Sequence, residues 1–130
     1  ETTEVNDYLV ERTQEILKGT AQSLDVQLSI EDLGTVYDIK NDPELVEYLK
    51  EVASQCPLVK AVTTHSDFGG SEDASIIIKR IQQLFGKCIY FVIGADRTAG
   101  HHQPDFDADE AALEIGFEMF KGLIRKVNGC

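Results

Sequence analysis

The chain has three histidines, and all of them fall in two polar stretches. His65 lies in Thr64-His65-Ser66-Asp67-Phe68-Gly69-Gly70-Ser71-Glu72-Asp73. His101 and His102 lie between Gly94 and Glu110, among Asp96, Asp105, Asp107 and Asp109. Neutral imidazole is a ligand for zinc and similar divalent ions, and neighbouring carboxylates can orient it through its second ring nitrogen. Adjacent histidines diverge, so the pair predicts one ligand rather than two. In the first stretch, Gly69 and Gly70 allow a ligand close to the backbone. Free N–H groups at the start of the following helix would favour a carboxylate or another anion. Each feature also has a plain structural reading. The histidines can be solvated loop residues, and Ser71, Glu72 and Asp73 suit an ordinary capped helix start.

A catalytic zinc centre needs about three protein ligands, an open position and usually a general base. The chain contains no H-x-x-x-H, no H-E-x-x-H and no C-x-x-C. If His102 binds a metal, most of that site lies outside this chain.

Both stretches are expected between a strand and a helix. Periodic apolar residues predict a helix over 5–23, with Val5, Tyr8, Leu9, Ile16 and Leu17 on one stripe. Val26, Leu28 and Ile30 alternate as in a half-buried strand over 25–31. Asp42 and Pro43 suit the cap and first position of a second helix, which Pro57 ends. Leu58–Thr64 is read as a buried strand, and Ser71 or Glu72 opens a third helix that Gly86 stops. Cys88–Ile93 is nearly all apolar and predicts a strand buried on both faces. A last helix is expected from about Asp109, with Leu113, Gly116, Phe117, Phe120, Ile124 and Val127 on its apolar face. The fold class is therefore α/β: an α-β-α-β-α layered unit over 41–130, preceded by a helix and strand over 1–40 from a smaller α+β unit. In open α/β sheets, ligands bind at the carboxyl ends of the strands, where both polar stretches would lie.

Composition narrows the function. A net charge of −11 over 130 residues repels phosphate backbones and anionic lipids, which argues against nucleic-acid and membrane partners. No apolar run approaches the ~20 residues of a membrane span. Cys56, Cys88 and Cys130 are odd in number and widely spaced, which predicts free thiols, a reducing compartment and hence a cytoplasmic location. Cys56 and Cys88 are expected as small core residues.

Several strings are informative together: Phe68-Gly69-Gly70-Ser71-Glu72-Asp73-Ala74-Ser75, Ile93-Gly94-Ala95-Asp96, Ala99-Gly100-His101-His102 and Phe106-Asp107-Ala108-Asp109-Glu110. They resemble the C-terminal end of aminoacylase-type zinc metallopeptidases of metallopeptidase clan MH. The nearest branch holds aminobenzoyl-glutamate hydrolases and N-acyl-amino-acid amidohydrolases. Asn41-Asp42-Pro43-Glu44-Leu45 is similar to the segment that returns to the catalytic domain after an inserted lid, and 6–30 to the lid's last helix and strand.

The resemblance implies a C-terminal portion of a layered α/β catalytic domain, with residues 1–40 the remnant of a ferredoxin-like lid that dimerises. It implies two divalent metal ions, zinc or manganese, in the whole enzyme. It implies hydrolysis of an amide beside a free carboxylate, with a metal-activated water as nucleophile. His102 maps to a metal ligand and His101 to its neighbour. Gly70, Ser71 and Glu72 map to a turn beside the substrate. The upstream ligands and the general base are absent, so this portion alone is expected to be inactive. A homodimer, formed through Val26–Ile30, and a small N-acyl amino acid such as p-aminobenzoyl-glutamate are the expected partners. The competing expectation is a non-catalytic acidic α/β module that binds a small carboxylate at Gly69-Gly70-Ser71.

Overall fold

The computed structural model describes residues 2–64 and 72–129. The described residues form four helices: α1 (Thr3–Ser23), α2 (Pro43–Gln55), α3 (Ala74–Gln83) and α4 (Ala111–Asn128). The chain divides into two compact units, Glu1–Ile39 with Gly69–Phe85, and Lys40–Phe68 with Gly86–Cys130.

In the first unit, the Thr2 hydroxyl caps α1 by accepting from the Val5 N–H at 3.3 Å, and Glu4 suits the positive end of the helix dipole. The backbone N–H groups of Thr3 and Asp38 each donate to the other residue's side chain, at 3.3 and 3.2 Å, which ties the helix start to the 36–39 segment. No residue of α1 is buried. Its expected stripe of Val5, Tyr8, Leu9, Ile16 and Leu17 stays exposed. Helix α3 docks on the 36–39 segment through Ser75, whose hydroxyl accepts from the Tyr37 N–H at 3.0 Å and which is only 1% exposed. Ile78 is buried beside it, whereas Ile76, Ile77 and Leu84 are exposed. Phe85, not Gly86, takes the left-handed φ of 62° after α3.

The second unit is built on the packing of α2 against α4. Ala53, Met119 and Leu123 form its buried centre, and Leu45, Val46, Leu49 and Val52 are half-buried around them. Close approach depends on Gly122, where a Cβ would fall closer than 3.0 Å to Val52 Cγ1. Lys126 pairs with Glu51 at 2.5 Å and sits over the Tyr48 ring at 5.6 Å. Most of the stripe of α4 expected to face the core is exposed: Leu113, Phe117, Phe120, Ile124 and Val127 are 53–72% exposed, although Gly116 is half-buried against Ile93 and the Phe120 ring still meets Phe91. The helix is apolar on two sides, and the narrower side with the small residues meets α2.

The expected strands do not form ladders among the described residues. Residues 25–31, 58–64 and 88–93 carry no strand ladder among the described residues, where the only pairing of that kind is an isolated antiparallel bridge between Arg97 and Ala108. A helix satisfies its own backbone, but a strand needs a second strand to take its N–H and C=O groups. For Cys88–Tyr90 a polar pair takes that role. The Asn41 amide donates to the Tyr90 carbonyl at 2.8 Å and accepts from the Tyr90 N–H at 2.7 Å. The Asp42 N–H donates to the Cys88 carbonyl at 3.0 Å, and its carboxylate accepts from the Cys88 N–H at 2.6 Å. Asp42 thus occupies the cap position of α2 without a side-chain capping hydrogen bond. No residue of Cys88–Ile93 is fully buried, against the expected burial on both faces: Phe91 stacks obliquely on Phe120 at 4.9 Å and Ile93 lies against Gly116, while Val92 is exposed. The described chain is α-rich.

Asp42→Ala removes a charged acceptor from a half-buried backbone N–H, so it should destabilise the protein by about 1.5–3 kcal/mol. Urea denaturation reads this, and a loss below about 0.5 kcal/mol, the range of neutral surface changes, would remove the clamp from the account.

A second polar link joins Lys87 to Glu44, which also accepts from the Tyr48 hydroxyl at 2.9 Å. The hydrogen bond from Lys87, then that from Tyr48, holds the Glu44 carboxyl below its ordinary value, and the same ion pair holds Lys87 above its own. The sign follows from linkage. The Glu44 contribution is present above the ordinary carboxylate pKa and is lost as pH falls through the depressed one. The Lys87 contribution is present below the ordinary lysine pKa and is lost as pH rises through the raised one. Glu44→Gln should therefore flatten the acid limb of a plot of thermal midpoint against pH. An acid limb identical to that of the parent protein would contradict this.

Candidate functional site

The described part of the candidate site is the loop between Asp96 and Asp109. Its neck is closed by backbone and side-chain bonds together. The Asp109 N–H donates to the Asp96 carbonyl at 2.9 Å, and Arg97 and Ala108 form the antiparallel bridge. The Thr98 N–H donates to the Asp107 carbonyl at 3.0 Å. The Thr98 hydroxyl accepts from the Asp107 N–H at 2.9 Å and donates to the Asp105 carbonyl at 2.6 Å. Beyond the neck, the Gln103 N–H donates to the Gly100 carbonyl at 3.3 Å and the Phe106 N–H to the Gln103 carbonyl at 3.1 Å. The loop leads directly into α4, where the Asp109 carboxylate accepts from the Ala111 N–H at 2.9 Å. That carboxylate takes up the first N–H of the helix and lies at the positive end of its dipole.

The two histidines at the loop's tip differ. The His101 ring stacks on Phe106, with centroids 5.2 Å apart and 28° between the planes. His102 takes a left-handed φ of 61°, a region sparsely used by residues with a Cβ. Both are exposed. Among the described residues no group of three or more His, Cys, Asp or Glu could hold a metal ion. An accessible imidazole on a tied loop fits the chemistry of one donor to a metal. The described residues do not supply a complete centre.

Glu72 is half-buried, and its carbonyl accepts from the Ser75 N–H at 3.0 Å. It belongs to the first unit and His102 to the second. Gly70 and Ser71, together with His65, Gly69 and the Cys130 thiol, lie outside the described residues. Cys56 and Cys88 are unbridged and half-buried, not core residues as expected. Burial, and after it the Asp42 carboxylate, pushes the Cys88 thiol up, so it stays protonated near neutral pH. No helix among the described residues is long and apolar enough to cross a membrane.

Thr98 was missed by the sequence reasoning. A threonine ahead of a polar loop is unremarkable in a sequence, and only the closed neck gives its hydroxyl two partners.

Comparison with known proteins adds the whole-chain context. Residues 6–126 match the family described as Peptidase family M20/M25/M40. A Haemophilus influenzae protein named as a p-aminobenzoyl-glutamate hydrolase homolog is 39% identical over 123 residues, covering 95% of this chain and 29% of the relative. The indole-3-acetyl-aspartic acid hydrolase of Enterobacter agglomerans is 34% identical, covering 91% of this chain and 27% of the relative. A Streptococcus gordonii N-acetyldiaminopimelate deacetylase is 30% identical, covering 98% of this chain and 33% of the relative. The chain thus spans about a third or less of the length of these curated relatives. No solved structure matches it.

Proposed function

Because this chain belongs to peptidase family M20/M25/M40, we propose that it is part of a metal-dependent amidohydrolase that cleaves N-acyl amino acids. The observation that carries this reading is chemical. The compounds named for the three relatives each join an acyl group through an amide to an amino acid with a second acidic or charged end: glutamate, aspartate and diaminopimelate. A pocket suited to them recognises a free carboxylate beside the amide.

In this reading residues 1–40 belong to a ferredoxin-like lid and 41–130 to a layered α/β catalytic domain. His102 is one metal ligand, and Gly70, Ser71 and Glu72 lie beside the substrate. Two divalent ions, zinc or manganese, would supply Lewis acidity to the amide and a nucleophile from water. The loop neck holds His102 in place, and the remaining ligands and the general base come from outside this chain. The reading has the protein act as a cytoplasmic homodimer on a small molecule. The net charge of −11 speaks against nucleic acid or a membrane surface as partner, and the unbridged Cys56 and Cys88 suit a reducing compartment.

The test offers the full-length protein p-aminobenzoyl-glutamate, indole-3-acetyl-aspartate and N-acetyldiaminopimelate, and measures release of the free amino acid. Cleavage of at least one is expected, with loss of turnover when the carboxylate beside the amide is masked as an ester. No cleavage of any of the three would sink this reading.

A further inference from the structure

We propose that Thr98 is a positioning residue for His102, and that its hydroxyl sets the affinity of the metal to which His102 would bind. The inference rests on the reading of His102 as a ligand given above. It begins with what does not hold the loop. Every residue from His101 to Glu110 is exposed, so no core packing fixes the tip. The stack of His101 on Phe106 and two short turns order the tip internally, but they do not tie it to the rest of the chain.

That tie is the neck, and Thr98 makes three of its bonds. Its N–H reaches the Asp107 carbonyl at 3.0 Å, its hydroxyl accepts from the Asp107 N–H at 2.9 Å, and the same hydroxyl donates to the Asp105 carbonyl at 2.6 Å. Donating and accepting at one atom is a property of a hydroxyl. Valine has the same branched shape and can do neither. Serine keeps both. The outer rungs, Arg97 with Ala108 and Asp109 with Asp96, would survive loss of the hydroxyl, so the loop would loosen at its inner end only. His102 lies four residues from Thr98 on one side of that end and three from Asp105 on the other. A ligand must be held within about 0.5 Å of its productive position. A loosened inner rung also leaves the left-handed φ at His102 without support.

The experiment uses the full-length protein stripped of metal, with Zn²⁺ alone as the probe and a chromophoric chelator in competition. His102→Ala identifies the dissociation constant to which this loop contributes. Thr98→Val should raise that constant by about tenfold or more, in the range found for residues that orient ligands. Thr98→Ser should stay within about threefold of the parent protein, well short of that range. Hydrogen exchange in the metal-free protein gives a readout independent of the metal: the Asp107 amide should exchange faster in Thr98→Val and not in Thr98→Ser. An unchanged constant in Thr98→Val, or a serine variant as impaired as the valine one, would overturn the proposal while leaving His102 as a ligand. Unchanged Zn²⁺ binding in His102→Ala would instead overturn the ligand reading, and the role of Thr98 with it.

Discussion

His102→Ala in the full-length protein is expected to lower the turnover of an N-acyl amino acid by more than about 100-fold, because loss of a ligand exceeds the 10–100-fold cost of disturbing a residue that only orients one. His102 stands on a loop whose neck is closed by the Thr98, Asp107 and Asp109 bonds, and its imidazole is exposed. The described residues around it hold no cluster that could bind a metal without it. Its removal therefore has no local substitute among the described residues. His101→Ala is the matched control. That ring is stacked on Phe106, so its loss should cost turnover less than about tenfold, below the level found even for residues that orient a ligand. Equal losses in the two variants, or an active His102→Ala enzyme, would remove His102 from the site.

Gly122→Val carries the largest expected effect on stability, a loss of about 2–3 kcal/mol by overpacking. A Cβ at this position falls closer than 3.0 Å to Val52 Cγ1 and meets Cγ2 at 3.3 Å. Valine side chains are stiff at χ1, so Val52 cannot swing aside within its own helix. The helices α2 and α4 must separate, which opens the small buried centre of Ala53, Met119 and Leu123. Val52→Ala in the same chain vacates the contested space. The double variant should be more stable than the sum of the two single losses by about 0.5–3 kcal/mol, the coupling expected of touching residues. Urea denaturation measures all three, and strict additivity would contradict the close approach of these helices.

What the sequence made legible follows from how far each signal reaches. The helices are local objects. Apolar spacing marks α1 and α4, Pro43 begins α2 and Gly86 closes the stretch that holds α3, so all four stand within a few residues of where residue patterns put them. Strands are not local objects. The alternation at Val26, Leu28 and Ile30 marks a face, but no described segment supplies a second strand. For Cys88–Tyr90, Asn41 and Asp42 take the backbone groups, an arrangement that no periodicity announces. The expected stripe of α4 is largely exposed for a related reason. Periodicity finds the larger apolar stripe, Leu113 to Val127, yet close packing selects the side where Gly122 admits a neighbour. At the site, spacing alone left His102 as one histidine among loop residues. Only the resemblance of the surrounding strings gave it a role, and only the structure brought Thr98 to the neck of its loop.

Metal dependence of cleavage is the most direct test of a metal-dependent amidohydrolase. The full-length protein, stripped by a chelator and dialysed, should lose its cleavage of p-aminobenzoyl-glutamate or whichever of the three compounds it hydrolyses. Addition of Zn²⁺ or Mn²⁺ should restore cleavage in the parent protein, but not in His102→Ala. Cleavage that survives complete removal of metal would contradict the assignment.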